Sequence, residues 1–218
     1  IGLYKPFTSS MDEGWTRLVF DNHQIKFISL MDEDFRTNKL VYDSIILPSI
    51  GERFLVNGNS EERYPKEFTG GVSESGVENL KKYVENGGKL ICFDDGCELV
   101  INRFGLPIKN TLKDLTRKEF YSPGTIVTLD VDTANPLSKG LNTKTAAYFI
   151  NSSAYEISDK TKVKEVAKYG GEDILLSGWI YGDQYLKGKT AIAEATYGKG
   201  KIIMFAFRPQ HRGQTYGT

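Results

Sequence analysis

Short apolar runs separated by longer polar stretches characterise the first half of the chain. Four of these runs predict β-strands, at Ile1–Tyr4, Lys26–Leu30, Asp43–Ser49 and Lys89–Phe93. Within the third run, Ile45–Leu47 is continuously apolar rather than alternating. A continuous run of this length is typical of a strand that is covered on both faces, as in a parallel sheet.

The stretches between these strands carry helical patterns. Asp12 and Glu13 begin the first predicted helix, because acidic side chains are favourable at a helix N-terminus. The predicted buried stripe of this helix is Trp15, Leu18, Val19 and Asn22. A second helix begins near Ser73 and ends at Gly87-Gly88, where glycine accepts positive φ. A third is predicted over Cys97–Phe104.

The alternation of strands and helices predicts a doubly wound parallel sheet, interrupted by a long loop at Ile50–Val72. After residue 105 the pattern becomes mostly β-like. The later runs are Thr125–Val131, Ala147–Ile150, Val163–Lys168, Leu175–Ile180, Thr190–Thr196 and Lys201–Phe207. We predict one domain over residues 1–218, with an α/β core at about 1–105 and 190–218 and a β-rich elaboration at about 106–189.

Composition narrows the classes of partner. Lys and Arg together number 28, and Asp and Glu also number 28, so no overall charge favours nucleic acid or an anionic membrane. Two cysteines rule out a disulfide scaffold without deciding the redox compartment. The chain starts inside a strand-like run at Ile1 and stops after Gln214–Thr218 without completing an element. We therefore expect a piece of a longer protein.

Two segments resemble the class I glutamine amidotransferase superfamily. In Gly76–Ile91 a helix ends in two glycines and leads into a buried strand, as the helix before a nucleophile turn does in that superfamily. Gly200–Gln210, with the sequence GKIIMFAFRPQ, is similar to its closing strand, which normally ends in Phe-His-Pro-Glu. The resemblance implies a flavodoxin-like α/β fold with a β-rich insertion or extension.

Further segments resemble one branch of that superfamily, the amidotransferase-like domain that follows the catalytic domain of some bacterial zinc carboxypeptidases. They are Tyr4–Pro6, Ser10–Arg17, Tyr64-Pro65, Phe68–Gly71, Phe104–Pro107, Glu119–Gly124, Leu176–Trp179 and Phe207–Arg212. The resemblance implies a secreted or periplasmic parent metallopeptidase with zinc in an upstream domain. That peptidase domain is the implied partner, and an envelope component such as a peptide is a second one.

An active amidotransferase needs a cysteine nucleophile, a histidine base and an acid that orients the histidine. Alignment with the superfamily places the nucleophile at about Asp95, and a carboxylate there does not replace a thiolate. Arg208 stands where the histidine belongs and offers only donors, while Gln210 lacks the charge of the acid. Cys97, with His211 as its base, is the alternative pair.

Zinc ligands are not expected in this segment. In the carboxypeptidases of the implied parent family, zinc is held by a His-x-x-Glu pair and a distant His. His23 and His211 are the two histidines of the chain, and neither is followed by that glutamate. We predict no metal and no cofactor here, with zinc in the missing peptidase domain.

The carboxyl ends of parallel strands form the usual ligand crevice of such folds. The candidate pocket residues at this edge are Glu13, Asp95, Cys97, Glu119, Arg208, Gln210 and His211. Arg208 has two interpretations, recognition of a carboxylate or other anion and an internal ion pair with Asp95 or Glu13. Glu119 and Tyr121 either project toward the crevice or form turn scaffolding.

Three functions follow from these observations. The first is a noncatalytic accessory domain of a zinc metallocarboxypeptidase that packs on the peptidase, presents substrate or binds a ligand. The second is an active cysteine hydrolase or amidotransferase that uses Cys97 and His211. The third is a stand-alone domain that binds a small molecule or sugar. Trp15 and Trp179 are predicted to anchor the core or a domain interface.

Overall fold

A computed structural model describes residues 1–213, and residues 214–218 lie outside the described part. Within that part, 12 strands form one sheet. The strands are β1 (Gly2–Tyr4), β2 (Ile28–Leu30), β3 (Ser44–Leu47), β4 (Lys89–Phe93), β5 (Ile108–Asn110), β6 (Thr125–Val131), β7 (Lys144–Phe149), β8 (Tyr155–Ile157), β9 (Val163–Tyr169), β10 (Leu175–Gly178), β11 (Thr190–Tyr197) and β12 (Gly200–Phe205). The helices are α1 (Met11–Asn22), α2 (Asp32–Arg36), α3 (Glu52–Asn57), α4 (Ser73–Glu85) and α5 (Gly96–Arg103). Three 3₁₀ turns lie at Lys66–Phe68, Pro136–Ser138 and Asp183–Tyr185.

Five strands form the parallel part of the sheet, in the order β2-β1-β3-β4-β12. β11 then pairs antiparallel with β12, and β9, β6, β7 and β10 continue the antiparallel half. β5 and β8 form a short pair beside β11. The predicted flavodoxin-like α/β fold with a β-rich extension is confirmed.

The two faces of the parallel sheet are covered unequally. On one face, the core runs from residues such as Leu80 of α4 and Leu90 of β4 into the antiparallel half. On the other face, a small cluster of Leu3, Ile46 and Phe93 packs beside Phe20 of α1. Because Phe20 belongs to α1, this helix contributes to the cover of that face.

The burial of α1 differs from the prediction. Glu13 and Thr16 are its buried residues, whereas Trp15 is half-buried and Asn22 is exposed. Glu13 is buried with a partner, because Arg17 one turn later forms an ion pair with its carboxylate and also donates to Ser29. Because this ion pair occupies the inner side of the helix, the apolar side chains lie beside it and are only partly buried. The spacing of apolar residues in the sequence does not show such a buried ion pair.

Short elements are the other departures from the sequence prediction. The predicted loop at Ile50–Val72 contains α3 and a 3₁₀ turn, and α2, β5 and β8 were also missed. These elements have six residues or fewer, too few for a period of 3.6 or 2 to emerge. The bounds of core and elaboration within one domain stay a prediction.

Candidate functional site

A strained turn joins β4 to α5 at the carboxyl edge of the sheet. Asp94 follows the last residue of β4 and has a φ of 46°, in the left-handed region that side chains other than glycine seldom adopt. Its backbone N–H donates to the carbonyl of Phe205 at 2.8 Å. A Cβ on Gly96 would lie 2.5 Å from the carbonyl oxygen of Pro48, so the turn packs tightly on its neighbour.

This strand-turn-helix geometry is that of a nucleophile elbow. The positive φ falls on Asp94, one residue before the position that the alignment gave for the nucleophile. The Asp94 side chain is turned inward and is 1% exposed. Asp95, by contrast, is exposed to solvent.

Asp94 is a buried carboxylate with two polar neighbours. Nε of Arg208 lies 3.2 Å from its Oδ2, and the hydroxyl of Ser153 donates to its Oδ1 at 3.3 Å. Burial and then the charge of Asp95 raise the pKa of Asp94 well above its usual value, whereas Arg208 lowers it. The elbow position is therefore occupied by an ion pair inside the protein.

Arg208 is held by further contacts. Nη1 lies 3.6 Å from Oδ2 of Asp12, and Nη2 donates to the carbonyl of Ile150. The predicted pairing with Asp95 or Glu13 is wrong in its partners, since Asp94 and Asp12 take those places. The positive φ turns Asp94 rather than Asp95 inward, and Glu13 is already paired with Arg17.

Cys97 lies in the core rather than in the crevice. Its side chain is fully buried, and Sγ donates to the carbonyl of Phe205 at 3.4 Å. Burial first, and then the neighbouring Cys92, raise the pKa of the Cys97 thiol well above its ordinary value. The thiolate is the nucleophilic form, so this environment suppresses the reactivity that the alternative function requires.

His211 lies among different residues from those around Cys97. Its Nδ1 is 3.5 Å from Oδ1 of Asp12, and its ring stacks on Tyr148 with centroids 5.5 Å apart. Desolvation first, and then the charge of Arg208, lower the pKa of His211. Within residues 1–213, His211 and Cys97 form no hydrogen bond with each other.

The other predicted pocket residues separate into two groups. Gln210 belongs to the Arg208 cluster, because its Nε2 donates to the backbone carbonyl of Asp12 at 3.3 Å. Glu119 is exposed and accepts from the backbone and the hydroxyl of Thr116, at 2.9 and 2.8 Å. Glu119 therefore has the scaffolding role.

A pocket of about 290 Å³ lies beside the elbow, with Asp95 in its wall. Tyr121 lines this pocket together with Asn110, Lys113 and Arg117. Of the two interpretations given for Tyr121, this is projection toward the crevice. The loop after β7 contributes Asn151, Ser152 and Ser153. Sequence reasoning missed Asn110 and Ser153, and it did not select Asp94 as a site residue, although the Asp94-Asp95-Gly96 run after a buried strand marks the turn.

Two general features of the described part bear on its chemistry. Within residues 1–213, no group of three or more His, Cys, Asp or Glu side chains is arranged to hold a metal ion. Over the same residues, no helix has both the length and the apolar character needed to cross a bilayer.

Comparison with known proteins gives structural relatives only. No family model matches the chain, and no curated protein matches its sequence. The fold is similar to the cytoplasmic protein STM1381 of Salmonella typhimurium, with a TM-score of 0.60 and 11% identity over 99% of this chain and 94% of that one. It is also similar to a ThuA-like protein of Bacteroides uniformis, with a TM-score of 0.58 and 14% identity over 100% of this chain and 84% of that one.

Part of a much longer enzyme has the same fold. A β-galactosidase of Bacillus circulans sp. alkalophilus matches with a TM-score of 0.58 and 11% identity, over 95% of this chain and 28% of that one. At these identities the likeness shows the fold alone. The fold of this chain is therefore similar to that of ThuA-like proteins, a mixed α/β fold with a class I glutamine amidotransferase-like architecture.

Proposed function

We propose that this chain is a noncatalytic amidotransferase-like domain that binds a ligand as an accessory unit of a longer hydrolase. The observation that carries the proposal is the ion pair between Asp94 and Arg208 at the elbow. A carboxylate at the elbow cannot replace the thiolate nucleophile, and the guanidinium beside it cannot accept a proton as the base must. Binding remains available at this edge because the pocket next to Asp95 is open to solvent.

The accessory role has two supports. The fold forms 28% of the β-galactosidase chain and 29% of Agd3, a carbohydrate deacetylase, so it occurs as one part of longer hydrolases. The motifs that resemble the carboxypeptidase branch favour a zinc metallocarboxypeptidase as the parent. In that proposal zinc is bound by the upstream peptidase domain, and the parent is secreted or periplasmic.

Turnover assays test the noncatalytic part of the proposal. The purified chain is incubated with glutamine and, separately, with p-nitrophenyl acetate, beside Cys97→Ser and His211→Ala variants. We expect neither the chain nor either variant to turn over substrate faster than buffer alone does. Turnover that disappears in both variants would establish the cysteine hydrolase instead.

The accessory part needs the sequence upstream of this segment. We expect a His-x-x-Glu motif and a second histidine there, and about one zinc per chain in the purified longer protein. Deleting the segment from that protein tests whether it supports peptidase stability or substrate binding. An upstream region without these ligands would reject the carboxypeptidase context while leaving the noncatalytic assignment intact.

A further inference from the structure

Strand β10 is the least covered strand of the sheet. All four of its residues, Leu175–Gly178, are exposed, which holds for no other strand in residues 1–213. Over the same residues it pairs with β6 alone, so its second edge carries backbone N–H and C=O groups without a strand partner. An edge of this kind is a template for pairing with another chain.

Large apolar side chains are exposed on β10 and on the segment that follows it. We call four of them the β10 patch, each between 44% and 56% exposed, namely Leu175, Leu176, Trp179 and Tyr181. Tyr121 fixes part of this patch, because its ring packs edge-on against Trp179 at 5.6 Å and its backbone exchanges hydrogen bonds with Tyr181 at 3.0 and 2.9 Å. Exposed apolar side chains that lie together and are already ordered are typical of a surface that binds another protein.

Opposite charges flank the β10 patch. Glu172 and Asp173 come just before β10, and both side chains are exposed. Arg117 and Lys118 are also exposed and lie at the other end, where the Arg117 guanidinium is 5.5 Å from the ring centroid of Tyr121. Stacking on a neutral ring leaves the charge of Arg117 in place, and none of the four charged groups forms an ion pair within residues 1–213. Even with the glutamate at position 119 the second end is net positive, so the patch has an acidic end and a basic end.

We propose that the β10 patch binds the same patch of a second copy of this chain, with the two β10 strands antiparallel about a two-fold axis. A two-fold axis places the acidic end of each patch beside the basic end of the other, so the charge attraction occurs twice. A parallel arrangement would put acids on acids and bases on bases, which costs free energy. The distribution of charge thus suits a copy of the chain itself. This dimer goes beyond the proposed function and does not depend on it.

A β-bulge limits the contribution of the backbone to this dimer. The register of β10 on β6 shifts between Leu175 and Ser177, so Leu176 is the extra residue. A strand of four residues with a bulge adds few hydrogen bonds across the axis, and side chains must therefore provide most of the affinity. Leu176 lies in the middle of β10 and hence next to the axis, while Trp179 is the largest side chain of the patch.

Sedimentation velocity on the whole chain, over a series of protein concentrations, tests the proposal. At low salt we expect a concentration-dependent shift to twice the mass of the chain. Leu176→Arg places two like charges next to the axis, and we expect the dissociation constant of the dimer to rise at least about 100-fold. Trp179→Ala removes an aromatic anchor from both copies and should weaken the dimer by a similar factor, about 100-fold.

Charge exchange tests the antiparallel arrangement. The acid variant carries Glu172→Lys and Asp173→Lys, and the base variant carries Arg117→Glu and Lys118→Glu. Each brings like charges together twice, so we expect each alone to dimerise at least about tenfold more weakly than the unmodified chain. An equimolar mixture restores opposite charges at both ends, and we expect its heterodimer to recover the original affinity to within about threefold. All four sites are exposed, so the variants should fold normally.

Two matched controls lie outside the β10 patch. Leu137→Arg introduces the same charge as Leu176→Arg, at an apolar residue that is 42% exposed. Glu61→Lys with Glu62→Lys reverses another pair of neighbouring exposed acids. We expect both controls to dimerise like the unmodified chain.

Three results would overturn the proposal. These are a chain that stays monomeric at every concentration, equal weakening in Leu137→Arg and Leu176→Arg, and a mixture no tighter than the acid and base variants alone. Glutaminase and esterase assays on the same preparation report separately on the proposed function. A monomer without turnover rejects the dimer alone, whereas cysteine-dependent turnover rejects the proposed function and leaves the dimer in place.

Discussion

Replacing Arg208 with methionine removes the guanidinium that lies 3.2 Å from the buried Asp94 carboxylate. Breaking a buried ion pair by removing one partner costs about 3–5 kcal/mol. Within residues 1–213, Nε of Arg208 is at ion-pair distance but makes no hydrogen bond, so we expect the lower end, about 3 kcal/mol. For a chain of 218 residues, that loss lowers Tm by about 6–12 °C.

The loss depends on pH in a defined direction. Burial raises the pKa of Asp94, so the folded protein holds this proton more tightly than the unfolded chain, in which the pKa is about 3.9. The contribution of Asp94 to the free energy of unfolding therefore falls as pH rises from about 4 through the native pKa. Without Arg208 that pKa is higher still, so the deficit of Arg208→Met is larger above the native pKa of Asp94, where the carboxylate is charged, and smaller below it.

Urea unfolding at several pH values measures these effects. The double variant Arg208→Met with Asp94→Asn removes the stranded charge, and we expect it to recover at least about 1.5 kcal/mol over the additive sum of the two single variants. Arg63→Met, at an exposed arginine, is the control and should change stability by less than about 0.5 kcal/mol. A deficit that is constant across pH, or additivity in the double variant, would refute the role assigned to this ion pair.

Three further predictions follow from burial and backbone geometry. Cys97 and Cys92 are both fully buried, so a thiol reagent should label neither in the native protein and both in urea; rapid native labelling of Cys97 contradicts its placement. Gly96→Ala should destabilise by about 2 kcal/mol because its Cβ meets a backbone carbonyl, whereas Gly14→Ala, in open space within α1, should stabilise by about 0.5–1 kcal/mol; equal Tm values would contradict both. NMR titration should give His211 a pKa below about 6.5. Because the unfolded chain binds this proton more tightly, the free energy of unfolding should rise with pH between the native pKa and about 6.5. A native pKa above about 6.5 would contradict the desolvation of His211.

Local pattern determined the regular elements of this chain. The strand Lys89–Phe93 has the bounds that its apolar run predicts, and the helix Ser73–Glu85 begins at the predicted Ser73 and ends just before Gly87-Gly88. Both signals lie within a few residues of the element that they specify, so the sequence carries them without tertiary information. The loss of the catalytic base could also be inferred from the sequence, because Arg208 stands where histidine is expected and this inference depends on residue chemistry alone.

The site, by contrast, was decided by contacts between distant segments. Sequence reasoning paired Arg208 with Asp95 or Glu13, but the positive φ of Asp94 turns that residue inward instead. Likewise, no local pattern indicates that Tyr121 and Tyr181 exchange backbone hydrogen bonds and fix one wall of the pocket. A single-residue change of backbone conformation, or a bridge between two loops, is set by the packing of the whole sheet. The chain therefore specifies its strands and helices locally, and it places its polar side chains only once those elements have packed together.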